Sequence, residues 1–160
     1  MIDIICIGTP YVIGDSVGPR VGTKLRHKIF EQDVKIIGTM TDPVMLSNYS
    51  YRLKELRSGA TVIAVDSAVG PSVGNITYGV GSLAPGSGIG HSLQSVGDIS
   101  VKCYTSEKLR DLLSCSEINV KRWVNAITTE LLYLISFNEK ERIYKEYFNY
   151  IEKTPISNIE

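Results

Sequence analysis

The first twenty-one residues, MIDIICIGTPYVIGDSVGPRV, constrain this chain more than any other stretch. Ile4-Ile5-Cys6-Ile7 is an unbroken apolar run, the texture of a strand buried on both faces. Gly8 ends it, and Thr9-Pro10 opens a loop reaching Gly14-Asp15-Ser16. Val17, Val21, Leu25 and Ile29 then recur at helical spacing. Strand, loop and helix in this order begin an α/β domain, and open parallel sheets place their sites in such loops. The loop carries an acid, Asp15, where a phosphate-binding loop carries lysine. The nearest Walker match, Gly8 to Gly14, is one residue too long, and its carboxylate would repel phosphate. The dinucleotide fingerprint fails as well, because Pro10 occupies its second glycine and offers neither close backbone approach nor an amide. The opening turn therefore disfavours a nucleotide.

The following residues extend the pattern. The first helix is expected over 17–31, and Val34 to Ile37 reads as a second strand ending at Gly38. Asp42-Pro43 has the form of a helix start, with Asp42 capping and proline in the first turn. That helix is expected to run through Met45, Tyr49, Leu53 and Leu56 until Ser58-Gly59 stops it. Thr61 to Asp66 is a third buried strand, and right-handed crossovers give the strand order 2-1-3. From Ser67 to Gly97 the texture becomes glycine-rich. Ile76, Tyr78 and Val80 alternate as a half-exposed strand, and Leu83 to Gly97 forms a long Gly/Ser loop of the kind that carries function. Asp98 to Tyr104 alternates as a fifth strand, with a short helix over 107–113.

The last third is helical. Val120, Trp123, Val124, Ile127, Leu131, Leu134 and Ile135 make one apolar stripe that packs on the sheet. Asn138 followed by Glu141 resembles a capping box and starts a further helix. Its stripe of Ile143, Tyr144, Tyr147, Phe148 and Ile151 suits core or a homo-oligomer interface. These elements predict a single domain over 1–153, a three-layer α/β/α sandwich with a mostly parallel sheet, and a frayed tail over 154–160.

Charge narrows the partners. Seventeen basic and seventeen acidic side chains balance over 160 residues, so no long-range field draws the chain to nucleic acid or an anionic membrane. No apolar run approaches the ~20 residues of a membrane span. Three cysteines lack C-x-x-C spacing, and Cys6 and Cys103 read as small buried hydrophobes. A cytoplasmic, reducing compartment is the expectation.

Two acids carry the candidate chemistry. Asp15 follows strand one and Asp66 ends strand three; in the order 2-1-3 these strands are neighbours, roughly 4.8 Å apart. Both carboxylates then emerge at one sheet edge. Two carboxylates in one site split their proton affinities, separating a general acid from a general base. Alternatively they share a divalent metal, the only cofactor the sequence suggests, with His91 of the glycine loop as third ligand. In the plainer alternative, Asp15 caps the helix after it, Asp66 caps a turn, and His91 is a solvated bystander. No serine lies in a G-x-S-x-G elbow, Cys115 has no base beside it, and His27 sits among Arg26 and Lys28 on a surface helix.

The segments GTPYVIGDSVGPRVGTKL, IGTMTDPV, VIAVDSAVGPSVGNITYGVGSLAPGSGIG and SVGDISV, in that order, resemble the YyaC-type sporulation proteins, relatives of the germination protease of spore-forming bacteria. The resemblance spans about residues 4 to 102 and leaves the C-terminal helices without a matching motif. It implies the α/β/α fold shared with hydrogenase maturation peptidases and a peptidase acting in sporulation or germination. The G-D-x-x-G-P motif places the first catalytic aspartate at Asp15, and V-I-A-x-D places the second at Asp66. The P-G-S-G-x-G loop corresponds to Pro85 to Gly90, so Gly86, Ser87, Gly88 and Gly90 are the expected donors to a substrate oxyanion. The implied substrate is a protein or peptide, the small acid-soluble spore proteins among them, and the implied place is the forespore or spore core. The germination protease is a longer chain with insertions that have no room here. The maturation peptidases imply the metal alternative on Asp15, Asp66 and His91. A third alternative is a non-catalytic binding protein that keeps the fold and uses its aromatic C-terminal helix for partners.

Overall fold

The computed structural model describes residues 1–87, 90–91 and 93–153, with residues 138–153 described as backbone alone. Five strands form one sheet: β1 (Ile2–Cys6), β2 (Val34–Ile37), β3 (Thr61–Val69), β4 (Ile76–Val80) and β5 (Ile99–Ser106), in the order β2-β1-β3-β5-β4. All neighbours are parallel except β4, which pairs antiparallel with β5 at the edge. The expected 2-1-3 order is present. The strands are buried on both faces where the sequence is continuously apolar: Ile4, Ile5, Cys6, Ile63, Ala64 and Val65 are all inaccessible to solvent or nearly so.

One face of the sheet is covered by α1 (Val17–Arg26), whose Val17, Val21 and Leu25 are fully buried. The start of α3 (Glu117–Lys153) runs beside α1, joined by Arg20 to Glu117 and by Lys24 to Asn125. Its Val120, Val124 and Ile127 are buried, as the apolar stripe predicts. The opposite face carries a cluster of Ile5, Ile7, Ile37, Val44, Tyr49, Ala64, Leu83 and Val96, formed by α2 (Tyr49–Arg52) and the long loop. Sheet, helical layer and loop layer make the three-layer α/β/α architecture. The chain divides into two compact units, Met1–Thr128, which holds the whole sheet, and Thr129–Glu160, which carries the rest of α3. Among the described residues, no helix is long and apolar enough to cross a membrane.

Several boundaries differ from expectation. The first helix stops at Arg26, with His27 closing the last turn and Phe30 85% exposed, because the chain must reverse within a few residues to enter β2. Asp42 caps nothing. Its carboxylate takes both terminal nitrogens of the nearly buried Arg52, at 2.7 and 2.9 Å, and that guanidinium holds its pKa below the usual carboxylate value. Val44 is drawn into a parallel bridge with Ile7, so the helix begins only at Tyr49 and continues as a 3-10 turn over Leu53–Glu55. The short helix expected over 107–113 is a 3-10 helix, Leu109–Ser114. Helix α3 passes through Asn138 without a break, so no new helix starts at the Asn138–Glu141 pair; side chains of the aromatic stripe beyond it, like the tail 154–160, lie outside the described residues.

Arg57 secures the start of β1. Asp3, with no accessible surface, accepts hydrogen bonds from the Arg57 backbone N–H at 2.6 Å and from its Nε at 2.7 Å. Asp3→Asn keeps the shape but removes the charge, and should lower unfolding free energy by about 1.5–3 kcal/mol in urea denaturation. An unchanged midpoint would mean the ion pair contributes nothing net.

Candidate active site

The site arises where β1 is shorter than β3. The last β1 pair joins Cys6 to Val65, while β3 continues beside β5 as far as Val69. Past that pair, Ile7 turns away to its bridge with Val44. Asp66 is thus the first β3 residue beyond β1, and β3 runs three residues further than the sequence pattern suggested. A crevice opens between strands whose connections lead to opposite sides, the usual location of a site in an open α/β sheet.

Asp15 is delivered to the crevice by a 3-10 turn, Ile13–Asp15, just before α1. It does not cap α1; its Oδ2 accepts from the Thr9 backbone N–H at 2.8 Å, and its Oδ1 accepts from the Ser67 hydroxyl at 2.7 Å. Glycines make this approach feasible. A Cβ on Gly8, at φ +142°, would lie 2.1 Å from the Asp15 carbonyl oxygen, and one on Gly18 would lie 2.1 Å from the carbonyl oxygen of Ile7. The G-D-x-x-G-P segment is therefore a packing device that seats the acid over the end of β1.

Both aspartates line a single cavity of about 570 Å³, with apolar walls from Ile7, Val12, Met45, Leu83 and Leu112. Their environments differ. Burial pushes the pKa of Asp15 up, while the hydroxyl of Ser67 and the amide of Thr9 oppose the rise. Asp66 is pushed well above the ordinary carboxylate value, first by burial and then by the charge of Asp15, against weaker help from the Ser67 amide and Lys102. Both carboxyls are thus harder to ionise than ordinary ones, and Asp66, which feels burial and the charge of Asp15 together, holds its proton the more strongly of the two.

The glycine loop forms part of the wall. Gly86 and Ser87 line the cavity. The N–H of Gly90 is donated to the Ser87 carbonyl at 3.3 Å and that of His91 to the Gly86 carbonyl at 3.1 Å, so those two amides are used within the loop. Gly88 lies outside the described residues. The loop is tied down by the buried Tyr49, whose hydroxyl donates to the Gln94 carbonyl at 2.8 Å; burial and the nearby charge of Asp66 push its pKa up to about 12.

His91 is exposed and does not line the cavity. Among the described residues, no three His, Cys, Asp or Glu side chains are grouped to hold a metal ion. Two carboxylates without a third ligand do not fit a catalytic divalent metal held by three protein side chains. Three cavity residues were not singled out as site groups from sequence: Ser67, Thr9 and Lys102. Ser67 follows Asp66 directly, and Lys102 is the one charged side chain in an otherwise uncharged strand, ISVKCYTS, which was its available signal.

Comparison with known proteins agrees with this fold. The structure of the [NiFe] hydrogenase maturation protease HycI from Thermococcus kodakarensis KOD1 matches with a TM-score of 0.58 at 15% identity, over 84% of this chain and 92% of that one. A hydrogenase 2 maturation peptidase from a Thaumarchaeota archaeon matches with a TM-score of 0.52 at 14% identity, over 84% and 97%. The uncharacterized protein YyaC of Bacillus subtilis (strain 168) is 38% identical over 103 residues, 61% of this chain and 50% of that protein, so the chain spans about half the length of this curated relative. The model of the family described as "Protein of unknown function (DUF1256)" matches residues 1–124, from β1 into α3, and the chain belongs to that family.

Proposed function

We propose that this protein is a peptidase in which Asp15 and Asp66 work as a carboxylate pair, acting in sporulation or spore germination. The observation that carries it is the sharing of one cavity by two acids with unequal environments. The maturation peptidases with the same fold support an amide-hydrolysing chemistry, and the YyaC-type resemblance supports the setting. Asp15, ionised, takes a proton from water as the water oxygen bonds to the carbonyl carbon of the peptide. The carbonyl oxygen carries the negative charge until the C–N bond breaks. Asp66 then gives its proton to the departing nitrogen. Asp15 is left protonated and Asp66 ionised, and one proton passing from the first to the second restores the pair. The backbone of Gly86 and Ser87 lies on the wall against which a peptide would rest.

A proteome-derived peptide library, read by mass spectrometry for new termini, tests this. The parent protein should cut at a consistent sequence context, and the double variant Asp15→Asn/Asp66→Asn should not. Equal patterns from the two, or none from the parent, would exclude the peptidase.

A further inference from the structure

Lys102 pairs with Asp66 in the parallel register of β3 and β5, so the two side chains leave the same face of adjacent strands, about 4.8 Å apart at the backbone. Both line the cavity, and Lys102 is the single basic side chain among its lining residues. The other well-placed cations are occupied: Arg20 by Glu117, Arg52 by Asp42 and Glu55, Arg57 by Asp3. Among the described residues, the Lys102 ammonium has no hydrogen-bond partner and no ion pair, its backbone being held in the β5 ladders. It acts on Asp66 through space without touching it. An acid and a cation therefore line the same cavity without closing into an ion pair. The loop amides of Gly90 and His91, which could have served a substrate oxyanion, are turned inward on the loop's own carbonyls.

We propose that Lys102 is a further catalytic residue, its ammonium receiving the carbonyl oxygen of the scissile amide as that oxygen becomes negative. This rests on the peptidase role of Asp15 and Asp66. As water adds and its proton passes to Asp15, the C=O π pair moves onto oxygen and is stabilised by the ammonium, which keeps its own protons. When the C–N bond breaks with the proton from Asp66, the pair returns to C=O and Lys102 is unchanged. A charge at this point acts only on the transition state, because the neutral carbonyl of bound substrate attracts it weakly.

The test uses a peptide that the parent protein cuts. Lys102→Ala should lower kcat by on the order of 10²–10³ and leave KM nearly unchanged. Lys102→Arg should recover part of the loss, and added propylammonium should raise the rate of Lys102→Ala but not that of the parent. Lys102→Met, which keeps the apolar stem, serves if the alanine variant does not fold. A kcat within about threefold of the parent, or a loss confined to KM, would overturn the role of Lys102 while leaving the aspartate pair intact. No cleavage by the parent would remove both.

Discussion

Asp66→Asn should slow peptide cleavage by on the order of 10²–10⁴ and abolish the alkaline limb of the pH profile while keeping the acid limb. In the proposed mechanism the parent needs Asp15 ionised and Asp66 protonated. Its rate should therefore rise with pH as Asp15 loses its proton and fall again as Asp66 does, the two midpoints belonging to the coupled pair. Burial and the charge of Asp15 put the alkaline midpoint well above the normal carboxylate range. An amide at position 66 cannot titrate, so only the limb belonging to Asp15 would survive. Stability gives a second readout that needs no substrate. In the unfolded chain Asp66 releases its proton near pH 3.9, whereas in the folded chain it retains it to higher pH. The folded state thus binds more protons between those values, and stability falls as pH rises through that window. Asp66→Asn removes this slope: its Tm, relative to the parent, should increase from pH 4 towards pH 8. A Tm difference independent of pH would show that Asp66 is not held protonated, and with it the division into acid and base would fail.

Much of the frame was legible because it is written in unbroken local patterns. Buried parallel strands leave continuous apolar runs, and Ile4 to Ile7 and Val62 to Val65 are such runs. The convergence of Asp15 and Asp66 followed from strand order alone, since the order 2-1-3 makes β1 and β3 neighbours. What failed was local chemistry overridden by tertiary contact. Asp42-Pro43 has the form of a helix start, yet Arg52, ten residues on, competes for the same carboxylate and wins with two hydrogen bonds. Asn138 and Glu141 have cap spacing, but a cap forms only where the backbone leaves the helix, and here it continues. Lys102 escaped notice for a related reason: alternation along β5 marks Val101 and Cys103 as core but gives no sign of which neighbour stands across the ladder. That partner is fixed by sheet order beyond β3, which the glycine-rich stretch between β3 and β5 conceals.

Gly22→Ala and Gly18→Ala should be among the most destabilising small substitutions in the chain. In a solvent-exposed helix, alanine in place of glycine stabilises by about 0.5–1 kcal/mol, through the unfolded state and helix propensity. On α1 the sign reverses. A Cβ at Gly22 would sit 1.9 Å from the carbonyl oxygen of Gly38 and 3.3 Å from Cβ of Cys6; one at Gly18 would sit 2.1 Å from the carbonyl oxygen of Ile7. These obstacles are backbone atoms of the sheet region and cannot rotate aside, so α1 itself must lift by more than an ångström. Lifting it breaks the packing of Val17, Val21 and Leu25, all fully buried, and moves the turn that seats Asp15. Overpacking combined with such loosening costs on the order of 3–5 kcal/mol. Against a total of about 5–15 kcal/mol, that is enough to leave a substantial unfolded fraction at growth temperature. Gly79→Ala on β4 is the matched control, since its Cβ would meet only the Ser100 hydroxyl oxygen at an ordinary 3.5 Å, and it should be neutral or mildly stabilising. Guanidinium denaturation separates the cases: a midpoint for Gly22→Ala equal to that of Gly79→Ala would mean that α1 does not lie against the sheet at backbone distance, and Asp15 would lose the support that aims it into the cavity.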